Sequence, residues 1–290
     1  MTSGRLTVAA TPIGNLGDVT LRVLDSLRAA DVIEAEDTRV TRKLLSRYDI
    51  HVPLEPYHAR NLERRTGDVL AKVSSGMRVV LVSDAGTPGI SDPGEHLVSA
   101  ALEAGLQVEI LPGPSAIVAA LVASGLPTSA FYFGGFLPRK AGERRRVLAR
   151  LAGLPATLVF YESPRRAAAT LAAVAEVMPG RRAAMARELT KIHEEVARGE
   201  VMALAGALAS RELKGEVVLL VGPPPRHEAG PSPQEAAAAL EHAAGETRAL
   251  VREEGLGMRQ AAERIAAERG LRRKDVYDAA VRGAKELPAR

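Results

Sequence analysis

Three short apolar runs near the start of the chain each end in a loop rich in glycine and proline, and each loop opens into a helical pattern. Residues 6–11 (LTVAAT) run into 12–18 (PIGNLGD), residues 79–82 (VVLV) into 83–94 (SDAGTPGISDPG), and residues 108–111 (VEIL) into 112–115 (PGPS). The run 79–82 is apolar throughout, as expected of a central parallel strand buried on both faces. Leu21, Leu24 and Leu27 share one face of the first helical pattern, residues 32–35 make another strand, residues 60–73 an amphipathic helix, and a further helix starts near Glu95. Strands alternating with helices predict an α/β sheet with right-handed crossovers.

The pattern breaks at 125–127 (GLP) and restarts at 131–136, with helices near 142–152 and 165–177 and strands at 156–161, 182–187 and 216–221. A second α/β unit is therefore expected over 126–222, after a first over 1–125. Residues 223–233 (PPPRHEAGPSP) read as a Pro-rich, semi-rigid linker. Beyond it, 234–290 reads as a small helical domain. Residues 258–269 form a helix with Ala261, Ala262, Ile265 and Ala266 inward, Gly270-Leu271 turns it, and 273–282 makes a second helix. That spacing is helix-turn-helix-like.

The chain of 290 residues has no cysteine, which removes disulfides, thiolate metal sites and thiol nucleophiles together. Its longest apolar run, 116–123, is too short to span a bilayer, and its first residues lack a signal-peptide core. A cytoplasmic protein without a membrane role is expected. Six histidines show no metal-ligand spacing, and no metal is expected. There is no P-loop motif, no G-x-G-x-x-G after the first strand and no G-x-S-x-G elbow.

What remains is the loops at the carboxyl ends of strands, where open α/β sheets bind ligands. Loop 83–94 holds three Gly, two Pro and two Asp in twelve residues, more than a turn needs, so bare backbone approaches something closely. Asp84 stands at the strand end, where a carboxylate can face a cation. Ser115 opens a helix as an N-cap.

Seven segments occur in order: 11–18 (TPIGNLGD), 35–39 (AEDTR), 83–94, 112–116 (PGPSA), 135–140 (GFLPRK), 160–165 (FYESPR) and 186–191 (ARELTK). Together they resemble the ribosomal small-subunit RNA methyltransferase I family of the tetrapyrrole-methylase superfamily, over about 5–222, and the helical tail resembles that family's C-terminal domain. The resemblance implies tandem α/β domains of tetrapyrrole-methylase type with a cleft between them for S-adenosylmethionine (SAM). It also implies 2′-O-methylation of a cytidine ribose in 16S rRNA of the small ribosomal subunit, with cytidine 1402 as the family's target, and a homodimer. SAM carries a sulfonium and no phosphate, so the missing phosphate motifs fit. Pro12, Ile13, Asp84, Ala85, Gly86, Thr87, Ser115 and Ala116 are expected along its N-terminal wall. Tyr161, Glu188, Leu189, Gly215, Glu216 and Val217 are expected along the C-terminal wall.

The net charge is only +4, with 32 Arg against 7 Lys, so the position of charge matters more than its sum. Two segments are locally basic, 39–65 and 138–150. They nominate Arg39, Arg42, Lys43, Arg60, Arg139, Lys140, Arg144, Arg145 and Arg146 as phosphate contacts, against the alternative of a solvated face. A ribose hydroxyl is a poor nucleophile and benefits from a proton acceptor. Glu36, Asp37, His58 and Lys191 are the candidates, each equally suited to a salt bridge. Two other functions share these features: C-methylation of a tetrapyrrole precursor, and ribosome assembly by a non-catalytic RNA-binding protein.

Overall fold

The computed structural model describes residues 4–58, 62–225 and 233–285. They divide into two units, Met1–Pro225 and Arg226–Arg290.

The first half of the larger unit contains β1 (Arg5–Ala9), α1 (Leu21–Ala29), β2 (Val32–Ala35), α2 (Thr38–Arg47), β3 (Leu54–Pro56), α3 (Leu62–Ser74), β4 (Arg78–Val82), α4 (Gly94–Glu103), β5 (Gln107–Leu111) and α5 (Ala116–Ser124). The strands form one parallel sheet in the order β3-β2-β4-β1-β5. Successive side chains point to opposite faces, both covered by helices, which is why the central β4 is apolar from Val79 to Val82. Ala9, Ile33, Val80 and Val82 pack on α1 and α2 through Val23, Leu27, Leu44 and Leu45. Leu6, Val8, Val79 and Leu81 pack on α3 and α4 through Val69, Val73, Leu97 and Ala101. Truncating a side chain such as Leu81, 2% exposed, to alanine costs about 2–5 kcal/mol.

This order creates the crevice. β1 and β4 are neighbours, yet the chain leaves β1 for α1 on one face and leaves β4 for α4 on the other. Loops that part in this way open a gap at the carboxyl edge, the switch point of an open α/β sheet. The loops also hold each other. Thr11 N donates to Gly86 O at 2.8 Å, Gly86 N to Thr11 O at 3.0 Å, and Thr11 Oγ1 to Ser83 O at 3.0 Å.

The second half contains β6 (Phe131–Phe136), α6 (Ala141–Leu151), β7 (Thr157–Glu162), α7 (Pro164–Val177), β8 (Arg182–Arg187), β9 (Glu195–Glu200), α8 (Val201–Ala209) and β10 (Val217–Val221). Its sheet runs β6-β7-β10-β8-β9, with β6 and β7 parallel and every other pair antiparallel. One face packs on α6, α7 and α8 through Leu158, Phe160, Met185 and Leu219. The other face, with Val159, Ala184, Val218 and Leu220, packs on Ile117, Ala120 and Leu121 of α5 and on Ile13. The last helix of the first half thus forms part of the core of the second.

The smaller unit is a three-helix bundle of α9 (Pro233–Glu253), α10 (Met258–Arg269) and α11 (Arg273–Lys285). Ala243, Ala262, Ile265, Ala266 and Val276 form its core. Gly270, at φ +65°, ends α10, giving the helix-turn-helix pair. Most of the Pro-rich segment, 226–232, lies outside the described residues.

Candidate functional site

At the switch point lies a cavity of about 460 Å³. The first half contributes Ile13, Glu36, Ser83 to Thr87, Ile90 to Asp92 and Ser115 to Ile117; the second contributes Phe136, Tyr161 to Pro164 and Gly215 to Val218. The volume suits a cofactor-sized ligand. Five carboxylates line it (Glu36, Asp84, Asp92, Glu162 and Glu216), and no lysine or arginine does among the described residues.

The chain fixes these acids by local bonding. Asp84 follows β4 directly, and its Oδ1 accepts from Asp37 N at 2.9 Å. Asp92 Oδ1 accepts from Gly89 N at 2.8 Å and Gly94 N at 2.7 Å, closing the loop into α4. Glu162 is already satisfied, by Thr170 Oγ1 at 2.8 Å, Ser163 N at 2.7 Å and Arg166 at 3.1 Å. Burial, then the neighbouring charges of Asp84 and Asp92, push the Glu36 carboxyl above its ordinary range. Asp84 is also raised, chiefly by burial, with the Asp37 hydrogen bond opposing. Burial thus disfavours the charge on two neighbouring acids, and a cation in the cavity would relieve that cost. On the opposite wall Tyr161 meets Phe133 edge-on at 5.0 Å and Phe136 at 5.6 Å. This aromatic surface suits a flat ring or a positive centre.

The structure brings most of the expected SAM residues together. Ile13, Asp84, Ala85, Gly86, Thr87, Ser115, Ala116, Tyr161, Gly215, Glu216 and Val217 all line this cavity. Pro12 lines a neighbouring cavity of about 370 Å³ instead, with Lys43 and Lys191. Glu188 and Leu189 line neither. Leu189 is buried in the core beside Ile13. Glu188 stands behind the wall, where its Oε1 accepts from Glu216 N at 3.0 Å and pairs with Lys191 at 3.0 Å. Gly215, at φ +87°, leaves room for that carboxylate; a Cβ there would lie 2.2 Å from it. Phe136, Ile90 and Asp92 were not singled out from sequence, although the last two lie inside the flagged loop.

Only one candidate base lines the larger cavity, Glu36. Asp37 caps α2 and is bound by Arg39 at 2.6 Å, which holds its carboxyl down at about 2. Lys191 is corrected as a base. Burial opposes its charge, but ion pairs with Glu188 and Glu216, both at 3.0 Å, outweigh that and hold the ammonium above its ordinary range. His58 lines neither cavity.

The basic segments divide sharply. On α2, Arg42 and Lys43 are exposed, with no ion pair among the described residues; Arg39 is exposed but held by Asp37. Arg60 lies outside the described residues. On the second segment Arg139, Lys140 and Arg146 are exposed. Lys140 pairs with Glu143 at 3.3 Å and Arg145 with Glu176 at 2.7 Å. Arg144 is corrected as a phosphate contact. It is buried, and its guanidinium donates to Arg139 O at 3.4 Å, tying the loop down from inside.

Among the described residues no group of acids and histidines can hold a metal ion, and no helix is long and apolar enough to cross a membrane.

Residues 5–205 match the model of the Tetrapyrrole (Corrin/Porphyrin) Methylases. The chain belongs to that family and, within it, to the ribosomal RNA small subunit methyltransferase I group. It is 51% identical over 220 residues, 75% of each chain, to the Mesorhizobium japonicum protein of that name. It is 42% identical over 276 residues to the Synechocystis one, covering 94% of this chain and 96% of that one. Among solved structures it is similar to uroporphyrin-III C-methyl transferase from Thermus thermophilus complexed with S-adenosyl homocysteine, with TM-score 0.54, 21% identity, and coverage of 76% and 97%.

Proposed function

We propose that this protein is an rRNA methyltransferase that binds SAM in the larger cavity and methylates the 2′-oxygen of a cytidine ribose in 16S rRNA of the small ribosomal subunit. One observation carries the reading. The cavity at the switch point is lined by five carboxylates and, among the described residues, no basic side chain, with two of the acids raised chiefly by burial. A ligand bearing phosphate would be repelled there, whereas a sulfonium is attracted.

When bound, SAM supplies an electrophilic methyl carbon. The chain's own residues do the rest. Asp84, Glu36 and Asp92 set a negative field, Tyr161 and Phe136 provide a flat wall, and the bare backbone of Ala85 to Thr87 leaves room for a close fit. Holding acceptor and donor in line is worth much of the barrier. Glu36 takes the proton from the ribose hydroxyl. Its raised pKa moves it toward working pH, where a base is most effective. Asp37, held at about 2, is too weak a base for this.

Ribosomal RNA as substrate places the activity in the cytoplasm. A homodimer accounts for Val118 and Val122, apolar residues exposed on α5, and for Ile110 on the edge strand β5; a second copy covers them, and sedimentation at rising concentration measures it.

The test is to incubate the protein with small ribosomal subunits and methyl-tritiated SAM, then map ribose methylation in 16S rRNA. Label at a single cytidine ribose is expected. Label that appears only on an added free tetrapyrrole, or subunit binding with no transfer, overturns the reading.

A further inference from the structure

The neighbouring cavity of about 370 Å³ shares Ile13, Ser83, Asp84, Ala85 and Glu216 with the larger one, so the two meet along one wall. Their chemistry differs. Lys43 and Lys191 line the smaller cavity, and no basic residue lines the larger. Lys191 is spent on Glu188 and Glu216, whereas Lys43 on α2 is exposed and has no carboxylate partner among the described residues.

Two further features point to an occupant. Thr41, only 3% exposed, lines this cavity, and its Oγ1 has no hydrogen-bond partner among the described residues. A buried hydroxyl is seldom left unpaired, because desolvation is then uncompensated. Leu16 and Val40 also line the cavity and leave more than a third of their surface exposed, at 36% and 38%. Among the described residues the cavity therefore has one lysine without an ion pair, an unpaired hydroxyl and aliphatic walls. Its rear is closed by contact, since Gly14 lies so near the turn between β8 and β9 that a Cβ there would be 2.6 Å from Lys191 Cγ and 2.9 Å from Leu189 O.

We propose that this smaller cavity receives the target nucleotide, turned out of the RNA, with Lys43 on its phosphate and the Thr41 hydroxyl on a polar group of the nucleoside. The aliphatic side chains of Leu16 and Val40 cover the base, in place of the aromatic stack that this lining lacks. An enzyme that modifies a nucleotide must take it out of the stack and hold it in a pocket, and apolar side chains can serve as the flanking surfaces. The shared wall at Asp84 and Ile13 then brings the ribose to the edge of the donor cavity. This assignment rests on the rRNA methyltransferase reading above.

The test measures methyl transfer to small ribosomal subunits by the whole protein and by Thr41→Val and Lys43→Gln, with SAM affinity followed by calorimetry. Valine keeps the shape of Thr41 and removes only the hydroxyl; Lys43 is exposed, so its variant is expected to fold. Thr41→Val is expected to lower kcat/KM for subunits by about five- to tenfold. Lys43→Gln is expected to raise KM for subunits about tenfold and to reduce the salt slope of binding by about one. SAM affinity should stay within twofold of the unaltered protein in both. If both variants keep full kcat/KM while the unaltered protein is active, the pocket assignment is overturned and the function stands. If the unaltered protein binds SAM but methylates no ribosomal RNA, the function itself fails and the pocket loses its occupant.

Discussion

The two halves of the larger unit meet at one cavity but equip it differently. The first half, all parallel, delivers the reactive groups: Glu36, Asp84 and Asp92 stand on loops at its carboxyl edge. The second, largely antiparallel, delivers a wall: Tyr161 and Val217 are strand residues, and Gly215 and Glu216 hold the turn before β10. A parallel sheet aligns its strand ends on one edge, so its loops converge there. An antiparallel sheet sends half its loops to the other edge. The comparison teaches that the reactive groups belong to the first half and the fit to the second, and it sets an order of expected effects.

The largest effect is expected at Glu36. Glu36→Gln keeps the size of the side chain and removes the base, so kcat for methyl transfer should fall by about 10²–10⁴, with SAM affinity lowered only severalfold. The folded-state pKa is raised, so the stability tied to this group is full below the unfolded value and is lost as pH rises through the folded one. At neutral pH the charged side chain therefore costs stability, and Glu36→Gln should melt higher than the unaltered protein. The pH–rate profile should show an acid limb above the ordinary carboxylate range, absent in the variant. A loss in kcat below tenfold would place the proton acceptor elsewhere.

Next comes Asp84. Asp84→Asn retains an oxygen to accept from Asp37 N but removes the charge facing the sulfonium. SAM should bind about tenfold more weakly, whereas S-adenosylhomocysteine, with a neutral sulfur, should lose little; calorimetry with both ligands measures the ratio. Because Asp84 and Glu36 are both raised, acidification begins to neutralise them at a higher pH than for ordinary carboxylates. SAM affinity should therefore fall with pH earlier than affinity for the neutral product. Equal losses for the two ligands would mean that the acids do not read the charge on sulfur.

How much of this was legible follows the same division. Most of the parallel half could be read because its apolar runs and Gly/Pro loops lie in register along the chain and Ser115 caps α5; α2, capped by Asp37, and the three-residue β3 were missed, because a basic helix and so short an edge strand carry little apolar pattern. Direction in the second sheet could not be read, since the run 217–221 (VVLLV) looks the same parallel or antiparallel. β9 (EVARGE) was missed because an edge strand need not be apolar. Glu188 and Leu189 were placed by family pattern, yet their turn packs behind the wall, with Glu188 at φ +51° and Thr190 at +66°. Nothing in local composition shows which side of a wall a turn takes. The burial of Arg144 was equally hidden: its neighbours in sequence are exposed, and only the helix face, with Leu148 one turn on, separates it from them.

A smaller effect is expected in the second half. Gly215→Ala adds a Cβ at φ +87°, against the Glu188 carboxylate. The left-handed backbone alone costs about 1–2 kcal/mol for a residue with a Cβ, and Glu188 must move from Lys191. The melting temperature should drop by several degrees and SAM affinity by a few fold, with the pH dependence of kcat unchanged. A shifted acid limb would show that this wall tunes Glu36, and the division between reactive half and fitted half would weaken.

The smallest effects separate the two basic segments. Arg42 on α2 has no acidic partner among the described residues, so binding a phosphate breaks no ion pair there, whereas Arg145 must first leave Glu176 at 2.7 Å. Each lost phosphate contact lowers the salt slope of RNA binding by about one. Arg42→Ala should therefore reduce the slope for small subunits by about one, and Arg145→Ala should leave it unchanged, as filter binding at several salt concentrations would measure. If the two variants change the slope equally, α6 also meets the RNA. Both halves would then grip the substrate, although only one carries the groups that act on it.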